Sequence, residues 1–199
     1  MPKGVIYTIG HSNHETGKFV KLLHKYNINA VVDVRSIPYS RYNSQFNKDN
    51  IRNSLEDEAI HYLYLGEQLG AQYNDPNLFD NNGIINFKKV RQRDDFKKGL
   101  SRILNGLDKG YLIAVMCSEK DPLKCHRFVL ISYALKKKKI SVKHILADRS
   151  VIDQKKLESK LVKLYKKELK QQSLFNDYNN NQLDKAYQLR NKDIGDTLY

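Results

Sequence analysis

Apolar positions along the chain follow two rhythms, short continuous runs and stripes at helical spacing, and their alternation predicts the architecture. Val5 to Gly10 is a short apolar run ending in Gly10-His11-Ser12, which reads as a buried strand followed by a tight turn. Ser12 or Asn13 is then placed to cap a helix whose stripe includes Phe19, Leu22, Leu23 and Tyr26. Ala30 to Val34 reads as a second buried strand, Asn47 to Ala59 as a second helix and His61 to Leu65 as a third strand. From Glu67 to Asn86 the periodicity dissolves into Gly, Asn, Asp and Pro, the composition of a lid, a binding segment or a disordered loop.

Helical spacing returns from Phe87 to Leu107, with Gly106 and Gly110 punctuating its end, and Tyr111 to Met116 is the most apolar strand. Phe128, Ile131 and Leu135 mark a further helix, and Val142 to Ala147 a fifth strand. Val151 to Lys170 reads as a last helix, with Leu157, Leu161, Leu164 and Leu169 on one side and seven lysines from Lys155 to Lys170. The pattern predicts an α/β fold of three layers, a mostly parallel five-stranded sheet with helices on both faces. The expected organisation is an α/β core over residues 4–147, a basic helix over 148–170 and, where Gln, Asn and Asp take over, a flexible tail over 171–199.

A chain of 199 residues is one domain long and buries a core without disulfides. The opening MPKGVIYTIGHS lacks the long apolar region of a secretory signal, and no run of eighteen apolar residues occurs, so the expectation is a cytoplasmic protein with no membrane partner. A net charge of +13 gives a positive field that favours DNA or RNA. The same excess of lysine also follows from an AT-rich coding sequence, so charge alone does not choose a partner.

In open parallel sheets ligands bind beyond the carboxyl ends of the strands. Those ends deliver His11 and Ser12 from the first strand, Asp33, Arg35 and Ser36 from the second, and Cys117, Ser118 and Glu119 from the fourth. Asp33 and Arg35 share a face by the two-residue period, as an internal ion pair or as an arginine fork for phosphate oriented by the carboxylate. Ser40 and Arg41 lie in Ile37-Pro38-Tyr39-Ser40-Arg41-Tyr42, where interleaved arginine and tyrosine suit phosphates and bases.

The most informative stretch is Met116-Cys117-Ser118-Glu119-Lys120-Asp121-Pro122-Leu123-Lys124-Cys125-His126-Arg127, a buried strand turning into a helix. Cys125 beside His126 and Arg127 at a helix start is a candidate nucleophile or redox thiol, with Cys117 as resolving partner or as a packed residue. Seven residues separate the two cysteines, more than the usual two to four of zinc motifs, and adjacent Cys125 and His126 do not readily close on one ion, so no metal site is assigned unless His11 or His14 supplies a further ligand. The cofactor stays open.

Taken together, TIGHSN at 8–13, VDVRSIPYSR at 32–41, YLGEQLG at 64–70 and MCSEKDPLKCHR at 116–127 resemble the bacterial and archaeal domain of unknown function 488 family, over about residues 4–147. The resemblance implies an α/β domain and directs attention to His11, Asp33, Arg35, Ser40, Arg41, Cys117, Glu119, Cys125, His126 and Arg127. It departs at the third motif, where Glu67, Gln68 and Leu69 separate Gly66 from Gly70 and the family often has Leu-Gly-Gly.

In the tail, Gln171-Gln172-Ser173-Leu174-Phe175 is similar to the peptide that docks on the bacterial sliding clamp, with Gln171, Ser173, Leu174 and Phe175 as the partner-binding positions. The sequence thus points first to a nucleic-acid-associated enzyme acting on DNA or nucleotides. Ser12, Arg35, Ser40, Arg41, Cys117 and Arg127 are expected to hold phosphate, and His11, Asp33, Glu119, Cys125 and His126 to carry the chemistry. A non-catalytic DNA-binding accessory factor tethered to the clamp, and a thiol redox sensor, are the competing classes.

Overall fold

The computed structural model describes residues 4–173 and 182–198. Six strands form one sheet in the order β3-β2-β4-β1-β5-β6. They are β1 (Val5–Gly10), β2 (Ala30–Asp33), β3 (His61–Tyr64), β4 (Ile113–Cys117), β5 (Ser141–Ile145) and β6 (Val151–Asp153). The first five run parallel, and β6 pairs antiparallel with β5. The sheet therefore has one strand more than the pattern predicts. Val151 to Asp153 extends the sheet edge because the turn after β5 brings it back antiparallel, and three residues are too short a run to separate from the helix that follows.

Alternation along the strands sorts the core into two clusters. Ile9, Val31, Ala114 and Met116 pack with Phe19, Leu22, Leu23, Phe46, Ile51 and Leu55. Those partners belong to α1 (Thr16–Lys25), the turn before α2, and α2 (Lys48–Glu56). Ile6, Val32, Ile113 and Val115 instead meet residues of α5 (Asp94–Asp108), of the helix from Arg127 to Lys137 and of α7 (Gln154–Leu164). Burying Phe19, Leu22 and Leu23 stabilises α1 by about 1.5–3 kcal/mol per side chain, which matters because the helix lacks a side-chain cap. Glu15, and not Ser12 or Asn13, sits at its N-cap.

The long segment after β3 is not a bare loop. It carries α3 (Gly66–Leu69), a short turn at Pro76–Leu78 and a bridge between Phe79 and Ile85, and the following pattern breaks into α4 (Phe87–Val90) and α5. Its apolar residues Leu69, Leu78 and Ile85 are buried, which the surrounding Gly, Asn and Asp conceal in the sequence.

From Arg127 to Ser132 the chain makes a π-helical turn that passes into α6 (Tyr133–Lys137). All six residues of that turn are buried, so this helix is central and not a half-exposed amphipathic one.

Two further helices follow α7, namely α8 (Lys166–Ser173) and α9 (Gln182–Leu198). The helix α9 corrects the expectation of a flexible tail to the end of the chain. Leu183, Ala186, Tyr187, Arg190 and Ile194 recur at helical spacing, and Ala186, Tyr187 and Ile194 are buried against the core. In the sequence the Asn- and Asp-rich composition conceals that stripe. Of the clamp-type peptide, Leu174 and Phe175 lie outside the described residues. Among the described residues no helix is long and apolar enough to cross a membrane.

A buried polar chain ties these layers together. Thr8 Oγ1 lies 2.8 Å from His144 Nδ1, His144 Nε2 lies 2.7 Å from Gln154 Oε1, and Gln154 donates to Tyr187 Oη at 2.7 Å. Tyr187 in turn donates to Glu158 at 2.8 Å, and Lys136 donates to both oxygens of Glu158. The Gln154 oxygen only accepts, so the neutral His144 ring carries its proton on Nε2 and accepts from Thr8.

Burial pushes the His144 pKa down to about 3. The unfolded chain takes up that proton near pH 6.5 and the folded one does not. The stabilisation is therefore complete above pH 6.5 and is lost as pH falls toward 3, at about 1.4 kcal/mol per unit. Urea denaturation at stepped pH values is expected to show this slope, and His144→Asn to reduce it. An unchanged slope in the variant would contradict the assignment.

Candidate active site

The carboxyl ends of β1, β2 and β4 lie side by side because these strands are neighbours and parallel. A carboxylate at the end of β2 is fully buried, and burial without a partner would cost several kcal/mol. Asp33 solves this with Arg35. Its Oδ1 accepts from the Arg35 backbone N at 3.1 Å and from Nε at 2.9 Å, and its Oδ2 accepts from Nη2 at 2.5 Å. Tyr62 of β3 donates to Oδ2 at 2.7 Å.

The remaining Arg35 nitrogen, Nη1, lies 3.1 Å from His11 Nε2, and His11 Nδ1 lies 2.8 Å from the Ser12 carbonyl. Arginine only donates and a carbonyl only accepts, so His11 holds its proton on Nδ1. Burial, reinforced by the Arg35 charge, lowers the His11 pKa to about 4. The ring stacks on Phe46 at 4.3 Å between centroids.

The loop after β4 folds over the end of β1. A Cβ on Gly10 would come within 1.8 Å of the Glu119 carbonyl, so this crossing requires glycine. Ser12 follows with φ 50°, a left-handed conformation, and its N donates to Ser118 O at 2.8 Å. Arg127 is fully buried beneath the loop and donates from Nη1 to Glu119 O at 2.7 Å. The structure thus turns Arg127 inward as a clamp on backbone carbonyls, and it does not present a fork to phosphate.

Cys117 at the end of β4, Cys125 after the turn Pro122–Lys124, and His126 converge in one buried group. Cys117 Sγ lies 3.6 Å and Cys125 Sγ 3.9 Å from His126 Nδ1. Against the cost of burial, a hydrogen bond from Cys117 and the nearby Arg127 and His126 hold the Cys125 thiol well below the usual thiol range. The same hydrogen bond, with burial, pushes Cys117 well above it. Among the described buried side-chain atoms, His126 Nε2 and Arg127 Nε have no hydrogen-bond partner.

This group opens into a cavity of about 620 Å³ whose wall includes Arg35, Ile37, Gln72, Ser118, Glu119 and Lys124. Burial, with the Cys125 charge, raises the Glu119 pKa. Arg190 of α9 completes one side, donating to Leu123 O at 2.6 Å and to Asp193 at 3.1 Å. Arg190 thus fastens α9 to the loop that carries the thiols, and Tyr165, which hydrogen-bonds Asp193, ties it to the end of α7.

The residues singled out from the sequence therefore separate into groups. Cys117, Glu119, Cys125, His126 and Arg35 border the cavity, whereas Asp33 and His11 support it from below. Ser12 instead lines a different hollow of about 910 Å³ with His14, Lys18 and Lys120. Ser40 Oγ accepts from the backbone N of Tyr42 and Asn43, shaping a loop on which Arg41 is exposed.

Sequence reasoning missed Tyr62, Tyr64 and Arg190, and it placed Ser36 at the strand end without its partner. Tyr62 and Tyr64 were legible as one face of a strand by period two. Ser36 Oγ accepts from the Ala71 and Gln72 amides and so pins the segment after α3, a long-range contact with no local signature.

Removing one partner of the Asp33–Arg35 pair strands a buried charge. Asp33→Ala is expected to lower stability by about 3–5 kcal/mol, and Asp33→Ala with Arg35→Met to recover part of that loss. Chemical denaturation checks both. A single-variant loss below about 1 kcal/mol would show that the pair is not the support described.

The comparisons agree with this architecture in one respect and are silent in two. No curated protein matches the chain, and no solved structure does. The family model described as domain of unknown function DUF488 matches residues 15–134, a range that takes in α1, all of β2, β3 and β4, and the Cys125-His126-Arg127 turn. With more than half of its length under that model, the chain belongs to the DUF488 family.

Proposed function

We propose that this protein is a nucleic-acid-associated enzyme acting on DNA or nucleotides in the cavity beyond β2 and β4. The observation that carries the reading is the convergence of Cys117, Cys125, His126 and Glu119 on one cavity of about 620 Å³, a volume within the range of small-molecule sites. Next to it stands an exposed recognition surface. Ile37 lines the cavity and is 64% exposed, and the same loop continues through Tyr39 at 65%, the exposed Arg41, and Tyr42, which alone reaches 96%. Large side chains clustered in water on one loop are the mark of a contact surface, and bases stack on aromatic rings without regard to sequence.

Phosphate recognition in this reading passes from the two buried arginines to Lys124 in the cavity wall and Arg41 on the rim. Cys125, His126 and Glu119 are the reactive groups, and Asp33 and His11 hold the platform. A second reading, a non-catalytic accessory factor, is favoured by one observation. Lys155, Lys156, Lys160, Lys163, Lys166, Lys167 and Lys170 are all exposed along α7 and α8, a basic face suited to phosphates and adjoining the clamp-type peptide.

Incubation with DNA, RNA and free nucleotides, with and without divalent metal, is expected to yield a product that Cys125→Ser abolishes. In parallel, Tyr42→Ala is expected to weaken oligonucleotide binding about 5- to 100-fold in fluorescence anisotropy, the equivalent of about 1–3 kcal/mol per stacked base. Absence of any product, with salt-dependent binding that survives both changes, would reject the enzyme in favour of the accessory factor. Deleting 171–175 tests clamp tethering separately, through loss of clamp affinity.

A further inference from the structure

We propose that Cys117, Cys125 and His126 form a binding site for one borderline-soft divalent cation of the zinc class, with the fourth coordination position open to the cavity. This goes beyond the nucleic-acid reading and stands whether or not DNA is the substrate.

One ligand atom from each of the three residues lies within 4.8 Å of the others. A tetrahedral zinc with bonds of about 2.3 Å to sulfur and about 2.0–2.1 Å to nitrogen places sulfur and nitrogen about 3.6 Å apart. The two sulfurs lie 3.6 and 3.9 Å from His126 Nδ1. The two sulfur–nitrogen edges therefore match a tetrahedral site, and the sulfurs, within 4.8 Å of one another, need only close to the about 3.8 Å that two zinc–sulfur bonds set.

Spacing in the sequence argued against such a site, and the backbone shows why that argument fails. Cys125 is extended, at φ −126° and ψ 142°, while His126 is helical, at φ −58° and ψ −27°. The change of conformation between adjacent residues swings both side chains to one point. Cys117 reaches the same point from the end of β4, so the seven intervening residues span a turn and set no limit on the ligand distance.

A second observation is independent of the sulfurs. His126 is 6% exposed, and its Nε2 has no hydrogen-bond partner in the chain. Buried imidazoles normally satisfy both nitrogens. With Nδ1 facing two sulfurs, which are poor hydrogen-bond partners, the ring is held in place by no good hydrogen bond at either nitrogen. A cation on Nδ1 gives that nitrogen a strong partner and fixes the proton on Nε2, which the chain itself leaves without an acceptor.

Ligand type selects the ion. Two thiolates and an imidazole favour zinc over magnesium or calcium, which take oxygen. Three protein ligands leave one position, and all three residues line the cavity, so that position faces the space a substrate would occupy.

The test uses the full chain freed of metal by a chelator. Titration with cobalt(II) alone is expected to develop one equivalent of a thiolate-to-cobalt charge-transfer band with the visible intensity of a tetrahedral site, and one equivalent of zinc to bleach it. Cys117→Ser, Cys125→Ser and His126→Gln should each lose the band, whereas His24→Gln, at an exposed histidine paired with Glu58, should keep it. Should the variants fail to fold, X-ray absorption of the zinc-loaded natural chain reads the shell directly, as two sulfurs and two lighter atoms. No stoichiometric uptake, fewer than two sulfurs in the shell, or a band that survives loss of either cysteine overturns the site. No nucleic acid enters this readout, so its failure is distinct from failure of the proposed function.

Discussion

A fully buried carboxylate at the end of a central strand is the constraint around which this structure is arranged. Asp33 has no access to water, and its charge is tolerable only because Arg35 and Tyr62 saturate both oxygens. Arg35 then reaches His11, which stacks on Phe46. One buried pair thereby fixes the ends of β1, β2 and β3 relative to one another. Three of the five guanidinium N–H groups of Arg35 are engaged in that task, as are the lone pairs of Asp33.

The same economy governs the loop after β4. Arg127 from below and Arg190 from α9 each donate to its backbone carbonyls, at Glu119 and at Leu123. Held from two sides, the loop keeps Cys117, Cys125 and His126 together in a space closed to bulk water yet bordered by a cavity. Guanidinium groups build the platform and sulfur and imidazole occupy it. This division explains why residues that look alike in the motif, Cys125-His126-Arg127, have different roles although they are adjacent.

Much of the sheet was readable because buried parallel strands announce themselves as short apolar runs, and Val5–Gly10 matches its predicted bounds. The strand-end residues His11, Asp33, Arg35 and Cys117 followed from the same logic. What escaped was set by tertiary contact. The antiparallel edge strand Val151–Asp153 is three residues long, and α9 hides its apolar stripe among Asn, Asp and Lys. Whether an arginine binds phosphate or clamps a carbonyl depends on which way it faces, and adjacent Cys125 and His126 meet only through a local change of backbone conformation. Neither is encoded in spacing.

The central claim is that ligands engage the loop and cavity at the end of β4, and not a basic helix face elsewhere. The most direct measurement is amide NMR of the nitrogen-labelled chain during titration with a short single-stranded oligonucleotide. The account predicts saturable shifts at Ile37, Gln72, Ser118, Glu119 and Lys124. Shifts confined to the lysines of α7 and α8, with the loop after β4 unmoved, would contradict it.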